Sequence, residues 1–154
     1  MASDAGYGFI CQFEDLIARN KAGKALISLP ENAGVLPPLS LPKTFAESTA
    51  LLVALTSAGR MLVFPVQDLP SLAKGKGNKI IGIPSANAKD RSELLVRLLV
   101  IEPSDSLVFH SGKRKITLKP EDWQKFRAER GRKGTQLPRG LHSNAEIEVL
   151  SNNA

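Results

Sequence analysis

Ala73-Lys74-Gly75-Lys76-Gly77-Asn78-Lys79-Ile80 alternates cations with glycines and then runs into an apolar pair, Ile80-Ile81. Glycine lets a chain turn where a Cβ would clash, and it lets a second backbone come close. Lysine adds a mobile positive head. Such a loop suits a phosphate backbone better than a protein core. Its surroundings recur along the chain, and that recurrence decides the fold.

Upstream, Gln67-Asp68-Leu69 precedes the loop, and an apolar strand ending at Pro84 follows it. The same order occurs earlier as Glu14-Asp15-Leu16, the basic Arg19-Asn20-Lys21-Ala22-Gly23-Lys24, and Ala25 to Leu29 before Pro30. It occurs later as Glu121-Asp122-Trp123 and Arg130-Gly131-Arg132-Lys133-Gly134. Asp15 to Asp68 and Gly59 to Gly112 are steps of 53, and Gly23 to Gly77, Pro30 to Pro84, Asp68 to Asp122 and Gly77 to Gly131 are steps of 54. A period near 50 carrying several short strands is the mark of a blade array.

The strand pattern fills in the units. Expected strands are 7–13, 25–29, 50–55, 60–66, 79–83, 94–101, 107–109, 115–118 and 145–150. Thr56-Ser57-Ala58-Gly59 and His110-Ser111-Gly112 are the turns of two hairpins. Glu31 to Glu47, rich in Pro, Gly and small residues, reads as a connection, and Ser85 to Glu93 as a polar link. Pro120 to Ala128 reads as two helical turns, with little other helix. The fold expected is all-β, a propeller-like array of about three four-stranded antiparallel blades, with units of approximately 1–48, 49–101 and 102–154. Before the first turn glycine, Gly6, stand only Met1 to Ala5, so the first strand of the first unit looks missing. The chain reads as a piece cut from a longer protein, and residues 7–13 would have an open edge.

Charge singles out a partner class. The chain of 154 residues carries a formal charge of +6. Ser111 to Gly140 holds ten Lys/Arg against three acids, a net +7, which leaves −1 for the rest. Charge concentrated this way points to a polyanion. Aromatics are only 5%, which argues against a base-stacking platform or a basic RNA-associated module. No apolar run approaches the ~20 residues that span a bilayer, and the N-terminus lacks the pattern of a signal peptide. Cys11 is alone, so no disulfide can form within the chain, which fits a reducing cytosol, and a buried inert thiol is expected. His110 and His142 lack partners at ligand spacing, so no metal site is expected, nor any cofactor.

Candidate phosphate contacts follow from the loops. Arg130, Arg132 and Lys133 lead, then Lys74, Lys76 and Lys79, then Arg19, Lys21 and Lys24. Lys113, Arg114 and Lys115 lie at a hairpin turn, with Lys113 and Lys115 on one face and Arg114 on the other. Arg60 and Arg139 complete the set. Asp15, Asp68 and Asp122 are spaced as caps of the turns that follow them. Trp123 stands where Leu16 and Leu69 stand, which suggests core. No Gly-x-x-x-x-Gly-Lys-Ser/Thr phosphate loop and no local nucleophile signature is present.

Ala5-Gly6-Tyr7-Gly8-Phe9, Ala22-Gly23-Lys24-Ala25-Leu26, Leu29-Pro30-Glu31-Asn32-Ala33, Ala58-Gly59-Arg60-Met61-Leu62 and Lys74 to Ile80 together resemble the C-terminal domain of the A-type subunits of bacterial type IIA topoisomerases. The match is nearer to the topoisomerase IV A-type subunit than to that of gyrase, whose Gln-Arg-Arg-Gly-Gly-Lys-Gly box has no counterpart. The nearest stretch is Glu129 to Gly134. The resemblance covers nearly the whole chain. It implies a β-pinwheel with a basic rim that binds and bends duplex DNA without sequence preference, to guide decatenation and supercoil relaxation. It implies a non-catalytic part of an ATP-dependent enzyme of a bacterial cytoplasm and nucleoid, working with a second A-type subunit and two ATPase (B-type) subunits, and no membrane. The family's nucleophilic tyrosine lies in another domain, and Tyr7, the one tyrosine here, matches no part of that site. The alternatives are the equivalent domain of DNA gyrase and a propeller-type protein-interaction scaffold.

Overall fold

The computed structural model describes residues 1–41 and 49–151. Among these residues nine strands make three sheets: β1 (Tyr7–Gly8), β2 (Leu51–Thr56), β3 (Arg60–Pro65), β4 (Asn78–Lys79), β5 (Leu95–Ile101), β6 (Ser106–Ser111), β7 (Arg114–Leu118), β8 (Thr135–Gln136) and β9 (Glu146–Leu150). All strand pairs are antiparallel, so the all-β array expected from the repeat is the fold. The sheets are β1-β4, β5-β2-β3-β8 and β7-β6-β9, so only one reaches four named strands.

The sheets are built by exchange. The short strand after the second and third Lys/Gly loops skips the hairpin just before it and pairs with the one before that. β4 lies on β1 (Tyr7↔Lys79, Gly8↔Asn78), and β8 lies on β3 (Arg60↔Gln136, Met61↔Thr135). The later long strand then returns to the first strand of its own hairpin, β5 to β2 and β9 to β6. The first sheet follows the same plan with isolated bridges, Ala2↔Gly8 and Ser3↔Val35. The strand expected over 7–13 is limited to Tyr7–Gly8, and there the edge expected to be open is closed on both sides. Met1–Ser3 covers one side of β1 and β4 covers the other. Phe9 N–H donates to the Met1 carbonyl at 3.0 Å, and the Met1 amino group donates back to Phe9 O at 3.1 Å.

Packing explains the apolar run of β2. Leu52, Ala54, Leu62 and Phe64 enter one core cluster with Ala2, Ile10, Ile80, Ile81 and Ile83. Leu51, Val53, Leu55, Met61 and Val63 enter a second with Leu107, Phe109, Leu118, Trp123 and Phe126. The middle sheet is thus buried on both faces, and both faces are apolar. Each fully buried large side chain contributes about 1.5–3 kcal/mol. Trp123 is core as expected, 0% exposed, and its indole N–H donates to Asp105 O at 2.8 Å.

Several elements are shorter than the sequence suggests. Residues 25–29 contribute one bridge, Ile27↔Gly75, and 79–83 pair only at Asn78–Lys79. Phe13–Leu16 and Val66–Asp68 are 3-10 turns. The polar link holds an unexpected short helix, α1 (Ser85–Lys89), which buries Ala88. Pro120–Trp123 is one α-turn, α2, continued by a 3-10 turn at Gln124–Phe126. Asp15 and Asp122 accept the backbone N–H of Gln12 and Lys119, at 3.1 and 3.0 Å, so each caps its own turn. Of the connection read at 31–47, residues 31–41 are irregular and 42–48 lie outside the described residues.

Gly77 shows why the loop needs glycine. Its φ is +82°, and a Cβ there would overlap the Gly8 carbonyl across the β1-β4 pair. Gly134 has φ +83° and would meet the Met61 carbonyl at 2.9 Å, across β3-β8. Gly134, not Gly131, is therefore the counterpart of Gly77. The third loop is three residues longer just before its strand, and the steps of 54 to Asp122 and Gly131 survive because both lie ahead of the extra residues. Gly23, at φ +84°, faces open space. Gly23→Ala should cost about 1–2 kcal/mol, the strain of left-handed backbone alone. Gly77→Ala should cost more, because β4 must also leave β1. Urea unfolding of the two variants checks that order, and equal losses would contradict it.

Candidate nucleic-acid interface

Backbone hydrogen bonds join the three basic loops in series. Gly75 N–H donates to Leu26 O, and Ser28 N–H donates to Gly75 O, both at 2.9 Å. The second loop is thereby fixed to the segment that follows the first. Gly131 N–H donates to Ile80 O at 3.0 Å, and Gly82 N–H donates to Arg132 O at 2.7 Å. The third loop is fixed in the same way to the segment after the second. Arg130 adds a side-chain bond from Nη1 to Lys79 O at 2.7 Å. Lys79, Arg130, Arg132 and Lys133 are in this way drawn together, although 51 residues separate Lys79 from Arg130.

The individual cations differ in what else they touch. Arg19, Lys21, Lys74, Lys79 and Lys133 are exposed. Lys24 Nζ donates to Asp15 O at 2.8 Å, back into its own turn. Lys76 Nζ sits 4.0 Å from the centroid of the Tyr7 ring, a cation–π contact worth about 0.5–1 kcal/mol at an exposed site. Arg130 is half-buried through its bond to Lys79 O, and Arg132 pairs with Glu129 at 3.1 Å on an exposed surface. Lys113, Arg114 and Lys115 are exposed at the β6-β7 turn, and Arg139 is exposed beyond β8.

Arg60 does not join the rim. It and Glu93 are each 6% exposed, and its Nε donates to Glu93 Oε1 at 2.8 Å. Nη2 also reaches Glu93 Oε1 and donates to Gly82 O at 3.3 Å, while Nη1 donates to Lys133 O. The sequence carries a signal for this. Arg60 opens an otherwise apolar strand, and Glu93 stands next to another, positions where a charge is kept only if paired. A second latch has no such signal. Arg91, at φ +63°, donates to Asp4 Oδ2 at 2.9 Å and to Asn32 O at 2.6 Å, and Asp4 accepts Gly34 N–H at 3.0 Å.

Cys11 is half-buried rather than buried. It lines an apolar groove with Met1, Phe9, Ile10, Phe13 and Leu16. Among the described residues no group of three His, Cys, Asp or Glu could hold a metal, and no helix is long and apolar enough to cross a membrane.

The family described as DNA gyrase C-terminal domain, beta-propeller, matches residues 1–37 and 50–102. The chain belongs to this family. Within it, the chain is 76% identical over 150 residues to the A-type subunit of DNA topoisomerase 4 from Haemophilus influenzae, covering 97% of this chain and 20% of that one. It is 57% identical over 151 residues to the A-type subunit of DNA topoisomerase 4 from Escherichia coli K12, covering 98% and 19%. The chain thus spans about a fifth of the length of these relatives. The solved E. coli ParC C-terminal domain superposes with a TM-score of 0.88 at 56% identity, covering 98% of this chain and 59% of that one. These similarities agree with the resemblance to topoisomerase IV that the sequence carries.

Removing one partner of a buried ion pair costs about 3–5 kcal/mol, whereas an exposed pair contributes about 0–1 kcal/mol. Arg60→Ala should therefore shift the urea midpoint far more than Arg132→Ala, although both residues read as rim arginines by sequence. A small effect of Arg60→Ala would contradict the burial of its charge.

Proposed function

We propose that the chain is one non-catalytic, duplex-DNA-binding fragment of the A-type subunit of a topoisomerase IV, with units of about 1–48, 49–101 and 102–154. In this reading it holds and bends DNA through phosphate contacts, and so guides decatenation and supercoil relaxation by the parent enzyme with a second A-type subunit and two ATPase (B-type) subunits. The observation that carries it is the series of backbone bonds linking the three Lys/Gly loops. Cations spaced along one bonded series can meet successive phosphates. A moderate bend costs on the order of 1–6 kcal/mol, and successive contacts offset it. Contacts to phosphate fix position and carry no base information, so affinity should be nearly independent of sequence. Arg130, Arg132, Lys133, Lys74, Lys76, Lys79, Arg19, Lys21 and Lys24 are the proposed contacts. Lys113, Arg114, Lys115 and Arg139 are flanking ones, and Arg60 acts from within.

A second reading, a protein-docking scaffold, draws on one observation. Phe13 is 79% and Ile17 69% exposed beside the apolar groove. Titration of duplex affinity against salt separates the two. Each neutralised phosphate adds about −0.9 to the slope of log affinity on log salt. The DNA reading expects a steep slope that shrinks by roughly 0.9 for each of Lys74, Lys76 and Lys79 changed to Ala. A flat titration would overturn it.

A further inference from the structure

We infer that Arg60 and Glu93 form a buried clamp that positions the basic loop 129–134 against residues 79–82, so that the cations of two successive loops act as one phosphate-binding set. This rests on the DNA reading above and assigns a positioning role inside it.

One guanidinium holds three elements at once. Arg60 on β3 donates to the carboxylate of Glu93, just before β5, to the Gly82 carbonyl after β4, and to the Lys133 carbonyl in the loop before β8. A planar fork with five donors can serve a carboxylate and two carbonyls together, and a lysine ammonium lacks that fixed geometry. Glu93 keeps the cation tolerable in a nearly dry site. The surface it organises is closely fitted. A Cβ on Gly82 would meet Gly131 O at 2.9 Å and both Arg132 C and Lys133 N at 3.2 Å. The loop therefore lies flush on bare backbone. Next to it come the bonds from Gly131 to Ile80, from Gly82 to Arg132 and from Arg130 to Lys79.

The preceding junction is built at the same place with a weaker grip. Tyr7 follows the turn glycine Gly6 as Arg60 follows Gly59, and both residues pair with the incoming short strand. Tyr7 meets Lys76 of the second loop by its ring face, where Arg60 takes the Lys133 carbonyl of the third. The residue after the turn glycine is thus the point at which a hairpin holds the next basic loop. An apolar pair of similar volume supports folding as well as a buried ion pair does. What such a pair would not supply is the hold on the two carbonyls.

The test uses the intact chain in two variants that act from opposite sides. Arg60→Met with Glu93→Met removes the clamp without leaving a lone buried charge. Gly82→Val leaves the ion pair and wedges the loop away. Amide hydrogen exchange without DNA, and salt titration with a short duplex, are read for each. Both variants should exchange faster at 79–82 and 129–134 while β2 and β5 stay protected. Their salt slopes should fall by about 2–3, the loss of three phosphate contacts near 0.9 each. Should the double variant fail to fold, Gly82→Val decides alone. Folded variants with unchanged exchange and slope would overturn the clamp. A wild-type chain without salt-dependent duplex affinity would instead overturn the phosphate reading beneath it.

Discussion

Everything in this structure depends on a two-residue antiparallel pairing made twice, β4 on β1 and β8 on β3. Each pairing carries a segment of chain back across a hairpin that precedes it. Two residues of ladder are too few to hold a strand by themselves. They persist because the backbones meet where there is no side chain to separate them, at Gly77 against Gly8 and at Gly134 against Met61. The apolar residues that follow, Ile80 and Leu137, are then buried, one in each core cluster. The basic loops stand on the surface because their two ends are fixed in this manner.

The exchange also makes the sheets interdependent. The middle sheet gives residues to both clusters, and two latches tie its flanks to what lies beside it. Asp4 and Arg91 join the first hairpin to the turn after α1, and Arg60 and Glu93 join the second hairpin to the third loop. One latch is half-exposed and the other nearly dry. The drier one sits under the region of highest positive charge. There, mutual repulsion among Lys79, Arg130, Arg132 and Lys133 would otherwise spread the chain.

Much of this is legible in the residues. The turn glycines, the alternation of β9 and the continuous apolar run of β2 each have a local cause, and each lies where the pattern puts it. The choice of partner strand is not legible, because period-two alternation assigns a face and says nothing about which hairpin a short strand joins. Spacing alone misplaces the counterpart of Gly77 for a related reason. The third loop gains three residues just before β8, and the landmarks Asp122 and Gly131 lie ahead of that gain, so their spacing stays at 54 while the local equivalence slips to Gly134. Arg60 reads as a rim cation because most arginines are solvated. Its apolar neighbours Met61 to Phe64, all fully buried, are the contrary signal. The three-loop series is legible as a repeat, but its continuity rests on carbonyls and amides that no side-chain pattern encodes.

The bonds that space the loops run from Gly75 to Leu26, from Gly131 to Ile80 and from Gly82 to Arg132, all between main-chain atoms. Pitch and charge are therefore held in separate parts of the molecule. The interval between neighbouring loops is a property of these peptide bonds and of the buried Arg60 beneath the third loop, and the strength of each loop is a property of the exposed cations mounted on it. Exchanging a lysine for a glutamine would dim one station without moving the others. A lineage can in that way retune how firmly the rim grips, loop by loop, on a ruler whose divisions stay put.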